Sequence, residues 1–263
     1  MSIRRHPFTA CVALAVIVFL WAPLVVVAVN SINRDVLLAS WHGGTTRWYS
    51  QAFHNADVRA GLRQTMTIAL TSTALSLGLA VSAALWWRRA TPRWRRLFDM
   101  LTYLRIMLPE VVFAVALFLL FSKLQFPLGT TAIVIGHTVW NSAFASLIIQ
   151  ARVSGLDPAL EDAAADLGAN PWRVFRRVTL PGLVPGIVAA GLLAFTFSFD
   201  DVVTSYFLLG SGTAPLPVVI LSMIRFRITP EINAIGMMVM LTTASLLASA
   251  YLLTGGVRRG MRL

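Results

Sequence analysis

The sequence predicts an all-α membrane protein of six transmembrane helices with both termini on the cytoplasmic side. Three observations predict it. Of the 263 residues, 57% are hydrophobic and only 13% are charged, about half the charged share of a soluble domain. Six segments are apolar over lengths near the ~20 residues that a helix needs to cross ~30 Å of hydrocarbon: 8–29, 65–87, 104–121, 130–149, 183–199 and 234–253. The cations are also lopsided. Fourteen of the 22 Lys and Arg fall at the two termini and in the second and fourth connections, seven fall in the others, and Arg105 lies at the start of the third span. Positive charge collects on the cytoplasmic side of membrane proteins. That bias places Arg4, Arg5, Arg88, Arg89, Arg173, Arg176, Arg177, Arg258 and Arg259 inside, and it explains the net charge of +11 without nucleic acid.

The first span, 8–29, follows a basic start. Its apolar run exceeds the ~7–15 residues of a signal-peptide core, so an uncleaved span is expected. Cys11, the lone cysteine, lies within it, which excludes an internal disulfide and a cysteine metal cluster. The connection that follows carries Trp41, Trp48 and Tyr49, which read as aromatics at the headgroup level. The second span, 65–87, is rich in Ser, Thr, Gly and Ala. Small residues let helix backbones approach in lipid, so this span is expected to face other helices. The third, 104–121, carries Glu110, with Arg105 five residues before it and poorly placed to face it on one helix. The fourth, 130–149, carries His137, read as a packed helix–helix hydrogen-bonder. The fifth, 183–199, is short, has Pro185 and Gly186 near its start, and ends at Asp200 and Asp201. The sixth is 234–253.

Between the fourth and fifth spans lies a polar stretch, 157–181. Asp157 is expected to cap a short helix with Pro158 at its first position, and Glu161 and Asp162 sit near the positive helix end. Gly168 is expected to end that helix in a left-handed turn. Asn170 and Pro171 then start a second short helix, limited by Pro181. From physics alone the element reads equally as a docking surface or as an amphipathic loop held to lipid by Trp172, Phe175 and the three arginines. The stretch EDAAADLGANPWRVFRRVTLP resembles the EAA loop of ABC-importer permeases. Asp162, Ala163, Ala164, Gly168, Val178, Leu180 and Pro181 occupy the pattern positions, with Asp162 in place of Glu and Val178 in place of Ile. Glu161 offers a longer carboxylate one residue earlier. The resemblance implies a type I importer permease fold, with a short outer helix after the first span, and a loop that docks on an ATP-hydrolysing partner.

The sequence excludes other classes. A phosphate-binding P-loop needs a Gly-rich run ending in Lys, and Lys123, the only lysine, has no such context. ATP and Mg are therefore expected on partner subunits, with no cofactor or metal on this chain and no catalytic residue. The four histidines form no metal pattern, and no nucleophile–base cluster supports an intramembrane enzyme.

Ionisable groups in a membrane segment are functional candidates. Glu110, Asp200 and Asp201, beside Phe195, Phe197 and Phe199, suit an organic cation through charge-assisted hydrogen bonds and cation–π contact. Glu110, Phe197, Asp200 and Asp201 are the candidate pathway residues. The stretches FSFDDVVTSYFLLG and LPVVILSMIRFRITPEINAI resemble the second permease subunit of spermidine/putrescine importers. That resemblance implies an inner-membrane protein working with a second, homologous permease subunit, two ATP-binding subunits and a periplasmic binding protein. Related permeases for aminophosphonates or ferric iron are alternatives, and a self-sufficient secondary transporter is an alternative of another class.

Overall fold

In the computed structural model the described residues are 7–260, with side chains for 8–245. Twelve α-helices occur among them: α1 Pro7–Asn30, α2 Arg47–His54, α3 Ala56–Arg89, α4 Pro92–Met107, α5 Glu110–Lys123, α6 Thr130–Ser154, α7 Pro158–Asp166, α8 Pro171–Val174, α9 Leu180–Asp200, α10 Val203–Leu208, α11 Leu216–Phe226 and α12 Pro230–Gly260. Among the described residues, four helical stretches are long and apolar enough to cross a membrane: Phe8–Asn30, Ala56–Arg89, Thr130–Ser154 and Pro171–Asp200.

The expected third span is not one straight helix. The chain breaks at Leu108 and Pro109, and α4 meets α5 at 101°, so this bent pair is a fifth crossing only if it acts as one. A proline lacks the donor that an unbroken helix needs and disfavours helical geometry in the residue before it. The helix-wheel angle between Arg105 and Glu110 therefore has no meaning, because the two residues stand on different helices. The expected sixth span lies within α12, and its positions after Ser245 lie outside the described side chains. Arg4 and Arg5, and the side chains of Arg258 and Arg259, lie outside the described residues too.

The chain forms two compact units, 60–218 and the remainder. In the remainder, α1 and α2 both pack on α12. The loop 31–46 is tied by side chains: the Trp48 indole N–H donates to the Asn33 carbonyl at 2.6 Å, and the Tyr49 and Ser31 hydroxyls meet at 2.7 Å. Trp48 is 5% exposed. It is a structural residue, and the headgroup reading survives only for the exposed Trp41. The short helix α2 appears where the resemblance implied one.

In the unit 60–218, α6 and α9 pack together most extensively. One core joins Ala80 and Ala84 of α3 to Ile149 and Val153 of α6 and Leu183 and Ala190 of α9, and a second joins Ile68, Phe121, Ile133 and Leu208. The small residues of α3 divide between two faces. Thr65, Ser72, Ser76, Ala80 and Ala84 are buried along one stripe, whereas Thr67, Thr71, Gly78 and Ser82 are exposed on another. The expectation that this span faces other helices holds within the chain for the first stripe only. Close approach is enforced at Gly186, where a Cβ would lie 2.8 Å from Cβ of Arg152.

Candidate functional site: a bent polar element and a buried acid cluster

The 157–181 element follows local rules closely. Asp157 Oδ1 accepts from the Ala159 N–H at 2.9 Å and caps α7. Gly168 adopts φ +81°. Its N–H reaches the Ala165 carbonyl at 2.8 Å, and the Ala169 N–H reaches Ala164 at 3.1 Å, the paired bonds of a glycine-terminated helix. Asn170 Oδ1 then accepts from the Arg173 N–H at 2.8 Å and starts α8.

Pro181 does not end the second helix. A π-helical turn, Phe175–Thr179, joins α8 to α9, and helical backbone runs from Pro171 to Asp200. The Leu180 N–H bonds the Phe175 carbonyl five residues back. This wider turn carries the helix across the position where Pro181 has no donor. The polar element is therefore continuous with α9.

Glu161 fastens this element. Its Oε1 accepts from the Thr179 hydroxyl and from Arg88 Nη1, each at 2.7 Å. Burial raises its carboxyl pKa, but the Thr179 and Arg88 hydrogen bonds and the nearby charges of Arg88 and Arg89 outweigh burial and leave it below the usual carboxylate range. Arg88 is steadied in turn at the α3–α4 corner. There Arg95 donates to the carbonyls of Trp87 and Arg88 and lies over the Trp87 ring. Asp162 lines an open cleft of about 770 Å³ with Arg88, Arg89 and Trp172. Thus Glu161, one residue before the motif position, makes the fastening contacts. Leu160 of α7, Leu167 at its C-cap and Trp172 of α8 are 61%, 89% and 67% exposed. Of the other motif positions, Ala163 and Pro181 are exposed, while Ala164, Val178 and Leu180 are half-buried.

At the far end of α9 the pattern is non-local. His137 of α6 is 2% exposed. Its Nδ1 lies 2.7 Å from Ser198 Oγ, and its Nε2 lies 3.3 Å from both Asp201 Oδ1 and Ser205 Oγ. Ser198 Oγ also meets Ser72 Oγ of α3 at 2.9 Å. Asp201 accepts from the Ser205 N–H in the first turn of α10 at 2.8 Å and lies within electrostatic reach of Glu110 at the start of α5. Glu110 lies within electrostatic reach of Arg105 and Asp200. The structure thus brings Glu110 and Asp201 together. Asp200 is exposed nearby, and Phe197, 37% exposed, ends an aromatic run of Phe113, Trp140, Phe144 and Phe197 with centroids 5.2–6.3 Å apart. His137, Arg105, Trp140 and Ser198 belong to this cluster and were not among the pathway residues expected from sequence. The one available signal was polarity in an apolar segment.

Among the described residues, no group of three or more His, Cys, Asp and Glu is placed to hold a metal. The family model described as "Binding-protein-dependent transport system inner membrane component" matches residues 76–263. The chain is 31% identical over 247 residues to the putrescine transport system permease protein PotI of Escherichia coli K12, covering 91% of this chain and 88% of that one. It is 30% identical over 236 residues to the spermidine/putrescine transport system permease protein PotC of Haemophilus influenzae, covering 90% and 92%. In fold it matches a chain of a bacterial ABC transporter involved in the import of alginate, with a TM-score of 0.74, 17% identity and 97% of each chain covered. The chain therefore belongs to the binding-protein-dependent inner membrane components: it is a multi-pass inner-membrane permease subunit of an ABC importer, non-catalytic, with ATP bound by partner subunits.

Proposed function

We propose that this subunit imports polyamines, with spermidine and putrescine the leading substrates. The observation that carries this reading is the approach of half-buried Glu110 to Asp201, whose side chain is largely shielded, beside Asp200 and the aromatic run that ends at Phe197. Carboxylates hold ammonium groups by charge-assisted hydrogen bonds, and aromatic faces attract cations. The names of the two relatives point the same way. In this reading 1–263 acts as one permease domain of six spans with both termini cytoplasmic. Periplasmic binding protein delivers the solute to the Asp200 end.

The 157–181 element is the docking surface for one of two ATP-binding subunits. Its exposed Leu160, Leu167 and Trp172 support that role, since apolar side chains clustered on a polar element mark interaction surfaces. Closure of the ATPases pushes a rigid bent element whose second helix runs into α9, and the push reaches the acid cluster along one helix. The exposed stripe of Thr67, Thr71, Gly78 and Ser82 on α3 supports pairing with a second, homologous permease, because small residues allow close approach of helices in lipid.

The test is ATP hydrolysis by the reconstituted complex with its binding protein, comparing spermidine, putrescine and no ligand. Polyamine stimulation that falls in Asp201→Asn and Asp200→Asn supports the reading. An assembled complex that polyamines leave unstimulated rejects the substrate class, and an aminophosphonate is then the next ligand to try.

A further inference from the structure

Arg105 is the least satisfied charge in the described structure. Its guanidinium carbon lies 3.7 Å from the ring centroid of Trp140 and 4.1 Å from that of Phe113. All three side-chain nitrogens are shielded from solvent, and none finds a hydrogen-bond acceptor. A buried donor without an acceptor is costly, and a buried charge more so. Glu110 acts on Arg105 through space without a hydrogen bond between them, and it also lies within electrostatic reach of Asp201. The box therefore has two aromatic faces and an adjacent acid, as a site for an organic cation requires. What fills it is a side chain whose donors are idle.

We propose that the Arg105 guanidinium is a tethered stand-in for the substrate's ammonium, seated in the subsite that an incoming organic cation takes. This rests on the polyamine reading and deepens it, since it names Phe113, Trp140 and Glu110 as the amine subsite. Arg105 sits in the last turn of α4, three residues before Leu108 at the Leu108–Pro109 break. Its side chain can leave by turning about its own long stem, without unpacking α6. An ammonium entering the box keeps the aromatic contact. It also brings donors close to the Glu110–Asp201 pair, which the guanidinium does not reach. Arg105 is then a competitor: it keeps the box filled with positive charge until a better-satisfied cation displaces it.

The experiment is direct binding to the assembled importer, permeases with ATPases, without binding protein. Two probes are used, putrescine and n-butylammonium, on wild type, Arg105→Gln and Arg105→Lys. Uptake of putrescine by the wild-type complex with binding protein is measured in parallel. Removing a desolvated cation–π competitor is expected to tighten binding of both probes by about tenfold in Arg105→Gln. Arg105→Lys restores a tethered cation and is expected to stay near wild type. Adding Trp140→Leu to Arg105→Gln is expected to remove the gain. If wild type takes up putrescine but Arg105→Gln gains no affinity for either probe, the stand-in role is overturned and the substrate class survives. If Arg105→Gln gains affinity for n-butylammonium while wild type ignores putrescine, the subsite stands and the polyamine reading falls. Lost binding and uptake in Arg105→Gln, with uptake intact in Trp140→Leu, overturns the stand-in role as well: Arg105 then holds a negative group of the solute.

Discussion

The two ends of α9 are held in opposite ways. Below Leu180, the bent element is fixed by contacts between near neighbours: a cap two residues away, a glycine turn closed over five residues, a second cap three residues away. Beyond Ser198, the cluster joins residues 61, 68 and 126 positions apart, drawn from α3, α6, α9 and α10. The first end carries its shape with it and can move as a body. The second exists only while four helices keep their register, so any shift of α9 along its axis must strain or rearrange it. In the proposed coupling, a continuous helix between a rigid handle and a register-sensitive cluster acts as a lever.

The sharpest way to break this comparison is at the handle. Gly168 stands at φ +81° with open space around it, so only backbone conformation constrains the position. A left-handed L-residue costs about 1–2 kcal/mol, and β-branched residues resist this region most. Gly168→Val is expected to straighten or misdirect the bend, abolish co-purification with the ATPases and reduce uptake below about a tenth of wild type. Gly168→Asn is expected to retain much of both, since Asn tolerates left-handed geometry. A Val variant that assembles and transports normally removes the handle from the coupling path.

A smaller effect is expected at the cluster. His137→Ala withdraws the ring that joins Ser198 to Asp201 and leaves a cavity beside polar groups. Each buried group left short of a partner costs about 1–3 kcal/mol. The purified complex is expected to unfold several degrees lower, while still binding its ATPases, because the handle is built independently. A His137→Ala complex that fails to assemble with them, at temperatures where it remains folded, shows that the two ends are not separable.

The same contrast explains what the sequence revealed. Asp157, Gly168 and Asn170 act within a few residues of themselves, and their caps and turn were legible one residue at a time. Apolar length located most of the long helices for the same reason. Pro181 misled because its effect is settled by the π turn before it, a choice that depends on how α9 packs. The 101° break was missed because Leu108–Pro109 interrupts a hydrophobic run without changing its composition. Trp48 looked like a headgroup aromatic because its acceptor, the Asn33 carbonyl, comes near only when the loop folds back. Glu110 and Asp201 were each visible as acids in apolar surroundings. Their pairing, and the roles of His137 and Arg105, required three dimensions.

The smallest and most discriminating effect is expected where the handle is fastened. Glu161→Gln keeps an acceptor for Thr179 but removes the charge that Arg88 meets. Since the pair is partly exposed, the loss is expected to be about 1 kcal/mol or less, read as a modest fall in uptake with assembly intact. The pH dependence follows from the depressed pKa of Glu161. A carboxyl whose folded-state pKa lies below its unfolded value stabilises the fold fully above the unfolded value, about 4.3, and loses that contribution as pH falls through the folded value. Wild type and Glu161→Gln are therefore expected to differ by a constant amount from pH 6 to 8 and to converge on acidification below about pH 4. High salt should narrow the gap as well, because a partly exposed ion pair is screened. A gap that is insensitive to both acid and salt means that the Glu161 side chain acts through shape, with the Thr179 bond alone holding α7 to the turn before α9.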